Sequence, residues 1–297
     1  MSAHLITPKL EKKPSLRCAL AWAARHFSPV ITDTPRLDAE LLLAHCLGWN
    51  RARVYTYPEE TLAADQQRHF ETLVRRHSLG EPLAYILGRQ EFFGLDFFVD
   101  NRVLIPRPET ELLVEEAIAW LQVRESNRQH LTVADIGTGS GAIAISLAMA
   151  CPRLNIYALD TSAGALQVAA RNTEHHGLTD QVKLLHGDLL EPLPEKADLI
   201  AANLPYVSEA EMAQLPPHIA RFEPRLALAG GLDGLAVIER LLSLAQNHLQ
   251  PAGLILLEIG IAQGEQALNR ARRYFPSAQI DVRQDYASRD RLVIIQT

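Results

Sequence analysis

The feature that most restricts this 297-residue chain is a change of pattern near residue 131. From there short apolar runs, Leu131–Ile136, Leu154–Leu159, Val182–His186, Asp198–Ala202 and Leu254–Ile259, alternate with helical stretches such as Ala142–Ala150, Ala163–His175 and Leu235–His248. Strand–helix alternation builds a parallel sheet covered by helices on both faces. Two closing runs, Ala278–Arg283 and Arg291–Ile295, are joined by a link too short for a helical crossover, so they are expected to pair antiparallel. The first ninety or so residues read differently. Leu16, Leu20 and Ala23–Ala24, then Leu37, Leu41, Ala44 and Leu47, repeat at helical spacing, and a third amphipathic segment spans about Ala63 to Ser78. That segment ends in Arg75-Arg76-His77, read as basic side chains complementing a helix dipole. Between the two regions, Glu91–Ile105 is aromatic and β-branched, broken by Gly94 and by Asp100-Asn101, which predicts a hairpin. Pro106-Arg107-Pro108 stops it, and Glu109–Arg124 resumes as an amphipathic helix. The expected layout is a helical domain over 1–89, a β-hairpin linker over 90–106, and an α/β domain over 107–297 whose sheet is mostly parallel with an antiparallel last strand.

Within that α/β region, Asp135-Ile136-Gly137-Thr138-Gly139-Ser140-Gly141 follows the first strand and opens a helix. Its glycines allow a tight turn and let a ligand press against the backbone. The N–H groups at the following helix start could bond the ligand's polar atoms. Asp160 ends the second strand, 19 residues beyond Gly141, where its carboxylate can accept both hydroxyls of a ribose. Asp188 ends the third strand, near where an adenine ring would lie. This register points to a nucleoside-containing cofactor without choosing among them, since Gly137–Ala142 also satisfies the dinucleotide pattern.

Asn203-Leu204-Pro205-Tyr206 follows the strand Asp198–Ala202. Ligands of open α/β sheets sit outside the carboxyl ends of the strands, so this tetrapeptide shares a rim with the glycine loop. Its composition suits a planar NH₂-bearing group. The Asn203 side-chain oxygen and a nearby carbonyl can each accept one N–H. Pro205 restricts the backbone before it, and Tyr206 offers a flat face for stacking. The plainer alternative is a strand-to-helix turn.

Taken together, Asp135–Gly141, Asp160 and Asn203–Tyr206 resemble the class I S-adenosylmethionine-dependent methyltransferases that act on planar amino or amide nitrogens. Further segments, Pro82–Gly88, Glu91–Gly94, Ile105–Glu111 and Glu223–Leu228, are similar to those of the PrmC/HemK family of glutamine N5-methyltransferases. The resemblance implies a Rossmann-like methyltransferase domain and an N-terminal helical domain that binds a protein substrate. It implies S-adenosylmethionine as methyl donor and, as substrate, the glutamine of the Gly-Gly-Gln motif in peptide chain release factors, with a similar glutamine of a ribosomal protein as the alternative. Gly137, Thr138, Gly139, Ser140, Gly141, Asp160, Asp188, Leu189 and Asn203 would then hold the donor. Asn203, Leu204, Pro205 and Tyr206 would hold the glutamine, with Asn203, Pro205 and Tyr206 carrying the catalysis. The family usually has Asn-Pro-Pro-Tyr where this chain has Leu204 at the second position. Some relatives carry an aromatic residue where Leu189 stands, so adenine packing there would be aliphatic. Ile105–Glu111 is expected beside the donor mouth, with Arg107 and Glu109 as a possible hairpin-exit ion pair.

Composition narrows the partners. Asp plus Glu outnumber Lys plus Arg 35 to 29, a net charge of −6, so there is no global attraction to nucleic acid or an anionic membrane. That balance speaks against a nucleic-acid amino-methyltransferase, which would share the Asn-x-Pro-Tyr logic but want a basic groove. A nicotinamide dehydrogenase would need a proton-exchanging group on the rim, and none stands out. A non-catalytic adaptor for a release factor or the ribosome leaves Asn203, Pro205 and Tyr206 without a purpose. Cys18, Cys46 and Cys151 form no C-x-x-C pair and are expected as buried small hydrophobes in a reducing compartment. No apolar run approaches the roughly 20 residues of a membrane span, and Met1–Pro14 lacks the apolar core of a secretory signal. A cytoplasmic monomer without bound metal, contacting neither membrane nor nucleic acid directly, is the expectation.

Overall fold

The computed structural model describes residues 10–125 and 130–297, so the part of the N-terminal reading that rests on Met1–Lys9 lies outside the described residues. The chain divides into two compact units. One runs to Gly88 and takes in Pro217–Phe222; the other comprises Arg89–Pro216 and Glu223–Thr297.

The first unit contains α1 (Leu16–His26), α2 (Pro35–Leu47), α3 (Arg51–Thr56), α4 (Ala64–Ser78) and α5 (Leu83–Leu87). Ser15 caps α1 by accepting the Cys18 N–H, and Pro35 at the first position of α2 brings a φ already suited to the helix. Apolar faces meet in one core, with Leu16, Ala19 and Ala23 of α1 against Leu42, Leu43, Phe70 and Val74. In α2 the buried apolar face is Ala39, Leu42, Leu43 and Ala44, and of the expected Leu37, Leu41, Ala44 and Leu47 only Ala44 is buried. α3 and α5 are too short to display a helical period, which is why spacing did not reveal them. The basic end of α4 makes specific contacts. Arg76 pairs with Glu81 at 2.6 Å, and buried His77 lies 2.9 Å from buried Asp38. Burial alone would raise the Asp38 carboxyl, yet hydrogen bonds from His77, Thr32 and Thr34 hold it below the ordinary carboxylate range.

The second unit opens with β1 (Gln90–Phe92) and β2 (Leu95–Phe97), an antiparallel pair. Both turn residues, Phe93 and Gly94, have positive φ (52° and 73°), the mirror-image turn whose twist matches a two-residue hairpin. The hairpin is shorter than the expected 91–105. Residues 98–105 form no strand, because the Phe98 N–H and carbonyl are taken by the Asn172 side chain, at 2.7 and 3.0 Å, instead of by a ladder. A short 3₁₀ turn, Pro108–Thr110, leads into α6 (Glu111–Glu125).

The remainder alternates as β3 (Thr132–Ile136), α7 (Ala142–Ala150), β4 (Asn155–Asp160), α8 (Ala163–His175), β5 (Val182–His186) and β6 (Ala197–Ala202). After α9 (Glu209–Met212) and α10 (Pro217–Phe222, part of the first unit) come α11 (Ala236–His248), β7 (Leu249–Glu258), α12 (Gly264–Tyr274), β8 (Gln279–Gln284) and β9 (Asp290–Gln296). The seven strands run in the order β5-β4-β3-β6-β7-β9-β8. β3 to β7 are mutually parallel where they pair, and β9 is antiparallel to both β7 and β8. The chain thus folds as the expected mostly parallel sheet with flanking helices. β3 connects onward to β4 on one side and borders β6 on the other, which makes its carboxyl end the switch point where ligands bind. The register sets Ile136 opposite Ala202, so the loop after β3 and the loop after β6 leave the sheet side by side.

Cys151 is buried, but Cys46 is only half-buried and Cys18 is exposed, so the expectation of three buried thiols fails at Cys18, on the solvent side of α1. No described helix is long and apolar enough to cross a membrane.

Candidate active site

A cavity of about 480 Å³ opens at the carboxyl ends of β3, β4 and β6. Gly137, Thr138, Gly139 and Ser140 line it after β3, Asn203, Leu204 and Pro205 after β6, and Asp160, Asp188 and Leu189 line it as well. Two of the residues singled out in the sequence stand outside the wall. Gly141, at φ 84°, caps α7, and a Cβ there would lie 3.0 Å from Ile145 and 3.5 Å from Ala169. It lets α7 and α8 approach each other. Tyr206 is the second: its ring packs against the apolar core and its hydroxyl reaches Glu258.

The glycine loop is held chiefly by bonds to the end of β4. The N–H groups of Gly137 and Thr138 both donate to the Leu159 carbonyl, at 2.8 and 2.9 Å, and the Gly141 N–H donates to Thr138. The Gly139 N–H donates to Asp160 Oδ2 at 2.9 Å. Those N–H groups are therefore spent on shaping the loop. Beneath it, Asp135 is fully buried. Its Oδ2 accepts the Thr138 hydroxyl at 2.6 Å and the Ala144 N–H at 3.2 Å, while Oδ1 has no protein partner. Burial pushes this carboxyl up to about 7. From α8, Asn172 adds a tie to the Ser140 carbonyl at 2.8 Å while holding Phe98.

Asp160 stands at the end of β4, with Oδ1 accepting the Ser162 N–H at 2.8 Å and Oδ2 accepting Gly139. Burial raises its pKa, partly offset by these two N–H groups. Each oxygen keeps a lone pair for a further donor. Asp188 lies two residues past the end of β5 and pairs with Arg240 of α11, a partner no local pattern announced. The next residue, Leu189, has a left-handed φ of 49° and is buried, presenting an aliphatic surface to the cavity.

On the β6 side, Asn203 Nδ2 donates to Thr110 Oγ1 at 2.9 Å, and the Thr110 hydroxyl donates to Glu258 Oε2 at 2.6 Å. The Tyr206 hydroxyl donates to the other Glu258 oxygen at 3.3 Å. Glu258 ends β7 fully buried, and burial pushes it up to about 7; burial likewise raises the Tyr206 phenol. The sequence reading missed Thr110 and Glu258. An acid closing the otherwise apolar run Leu254–Ile259 was the available signal for the second. Arg107 pairs at 2.5 Å with Glu223, not with Glu109. Glu223 is buried, so it offers a fixed anchor for the segment between the hairpin and α6.

Family models match the chain in two places: a PrmC N-terminal domain over residues 19–88 and a methyltransferase small domain over 110–219. A release factor glutamine methyltransferase of Moorella thermoacetica is 44% identical over 278 residues, covering 93% of this chain and 96% of that protein. One from Rhodopirellula baltica is 39% identical over 279 residues, covering 93% and 94%. The chain belongs to the release factor glutamine methyltransferase family. Within this family frame Leu204, the departure from Asn-Pro-Pro-Tyr, has a defined place. Its side chain is buried, and a Cβ on Gly137 would meet its Cδ2 at 3.1 Å. Leu204 thus packs the β6 exit against the glycine loop.

Proposed function

We propose that this chain transfers a methyl group from S-adenosylmethionine to the side-chain nitrogen of glutamine, the substrate being the Gly-Gly-Gln glutamine of a peptide chain release factor. One observation carries the reading. Asn203, its Nδ2 already engaged by Thr110, shares a cavity with the glycine loop and Asp160 on adjoining strand ends. The donor set fits the cofactor. Asp160 suits the ribose hydroxyls, Leu189 with Ile136 and Leu159 suits a flat base, and the cavity volume is in the range of small-molecule sites. Bound there, S-adenosylmethionine would supply an already activated sulfonium methyl.

What remains for the protein is to aim a poor nucleophile, an amide nitrogen whose lone pair is delocalised. The Asn203 Oδ1 and the Leu204 carbonyl each accept one N–H of the substrate amide, which localises electron density on nitrogen and fixes its direction. The Pro205 carbonyl is the weaker candidate, since it lies against Gly230, where a Cβ would come within 2.7 Å of it. Alignment of this kind is worth up to about 7–11 kcal/mol in favourable model systems. No His or Lys lines the cavity among the described residues. This agrees with proton loss after the N–C bond has formed, when the methylated nitrogen is acidic, so that no strong base is needed beforehand. Tyr206 serves by its hydroxyl and core packing. The helical N-terminal unit binds the protein substrate, and the chain works as a cytoplasmic monomer.

The test is incubation of the protein with a labelled methyl donor and a release factor, followed by mass mapping. Methylation at the Gly-Gly-Gln glutamine is expected; label on another residue or on nucleic acid overturns the reading. A second expected outcome concerns Asp160→Ala. Removing hydrogen bonds to a charged group costs about 1.5–3 kcal/mol, so donor affinity measured by calorimetry should fall by roughly 10- to 150-fold. An unchanged Kd removes Asp160 from the ribose site.

A further inference from the structure

Asparagine can present either its oxygen or its NH₂ to a substrate, and only the oxygen can accept the N–H of a glutamine amide. The surrounding hydrogen bonds decide which. Glu258 lies at the end of β7, within hydrogen-bond distance of two hydroxyls: Thr110 on Oε2 at 2.6 Å and Tyr206 on Oε1 at 3.3 Å. An ionised carboxylate only accepts, so the single Thr110 proton is committed to it. Thr110 Oγ1 is then left with acceptor capacity alone, and the Asn203 atom facing it at 2.9 Å must be Nδ2. Rotating the amide by half a turn would set two oxygens against each other. The Oδ1 is thereby turned away from Thr110 and left for a donor in the cavity.

We propose that Thr110 and Glu258 are positioning residues: their hydrogen-bond relay locks the Asn203 amide with its oxygen available to the substrate nitrogen. The proposal rests on the methyl-transfer reading above and adds two residues that act through Asn203: Thr110, which lines the cavity, and Glu258 behind it. Both lie in the interior, Thr110 on the 3₁₀ turn before α6 and Glu258 on β7, so the relay ties together three segments that are far apart in the chain.

The relay has a condition on its sign. A protonated Glu258 carries an O–H of its own. If that proton is donated to Thr110, the Thr110 hydroxyl is released to donate to Asn203 Oδ1, and the lock on the amide is lost. The charged and titratable groups facing Glu258 come from every side. Arg291 of β9 favours its carboxylate, as do the hydroxyls of Thr110 and Tyr206, whereas Glu109 opposes it along with burial. Their balance leaves the carboxyl near 7, so the lock should fail as pH drops through the neutral range.

Three variants and a pH series test the relay, using the full chain, S-adenosylmethionine and a release factor. Thr110→Val keeps the shape of the side chain and removes both the donor and the acceptor. It should lower kcat by about 10- to 100-fold with KM and donor Kd nearly unchanged, the pattern of an interaction made in the transition state. Thr110→Ser restores the hydroxyl and should recover most of the rate. Wild-type kcat should fall on the acid side with a midpoint near 7. Glu258→Gln should have no such limb, because an amide does not titrate. Equal kcat in wild type and Thr110→Val overturns the relay. So does an acid limb that survives in Glu258→Gln, or a serine variant no faster than the valine one. A wild-type protein that does not methylate glutamine overturns the functional reading instead, which separates the two failures.

Discussion

Asn203→Ala is expected to reduce kcat by about 10²- to 10³-fold, the cost typical of deleting one preorganised polar contact to the reacting group. The side chain supplies one of two acceptors for the substrate amide. Without it, the nitrogen is neither aimed nor relieved of its delocalisation. The glycine loop and Asp160 are untouched, so calorimetric affinity for the methyl donor should stay within a few-fold of wild type. Asn203→Asp is a sharper variant. It keeps an acceptor but loses the Nδ2 donor that Thr110 now receives at 2.9 Å, and it brings a second carboxylate toward Glu258. It too should be slow. Wild-type kcat in Asn203→Ala removes Asn203 from catalysis and leaves the relay from Thr110 without an object.

Gly234→Ala should do nearly as much damage from outside the cavity wall. A Cβ at this position would lie 2.2 Å from the Tyr206 carbonyl oxygen and 2.3 Å from Gln263 Nε2, at a φ of 79°. Those atoms form the clamp behind the Asn203–Tyr206 turn, since Gln263 Nε2 donates to the Tyr206 carbonyl at 2.8 Å and its Oε1 accepts the Gly260 N–H at 2.8 Å. Overpacking costs about 1–3 kcal/mol and a left-handed non-glycine residue roughly 1–2 kcal/mol. The expected loss of stability is therefore about 2–5 kcal/mol, read as a lower midpoint in urea. Displacing Tyr206 should also move Asn203, so kcat should fall in whatever fraction still folds. A variant with the wild-type midpoint and rate would mean that the turn yields cheaply, and that the clamp does not hold the site.

Much of the site was legible in the sequence because it is made of local patterns. Gly137–Gly141 sits between a strand and a helix, Asp160 closes the next strand, and Asn203–Pro205 closes the fourth. A chain that alternates strand and helix in this way can bring such turns only to one rim. How the glycine loop is held was not legible. Its backbone turns back on Leu159 and Asp160, and that geometry depends on a neighbouring strand. The hairpin was misjudged in length for a related reason. Asn172, more than seventy residues away, takes the backbone bonds of Phe98 that a strand partner would have used. Gly141 and Tyr206 were assigned to the cavity because they belong to the motifs, yet their neighbours in space are Ala169 and Glu258.

Periodicity, strand-ending acids and turn chemistry in the sequence alone determined the class of fold, the parallel pairing of the sheet's first strands, a hairpin ahead of the sheet, and the rim where the cavity opens. These are properties of residues close together along the chain, where apolar spacing and backbone preference act directly. The tertiary structure alone decided that Pro217–Phe222 belongs with the first unit, that β9 lies between β7 and β8, that Arg107 pairs with Glu223, and that Glu258 reaches Asn203 through Thr110. Each joins groups a few ångströms apart in space but far apart in sequence, brought together by burial in a common core; no local pattern records which distant partner a buried polar group will find.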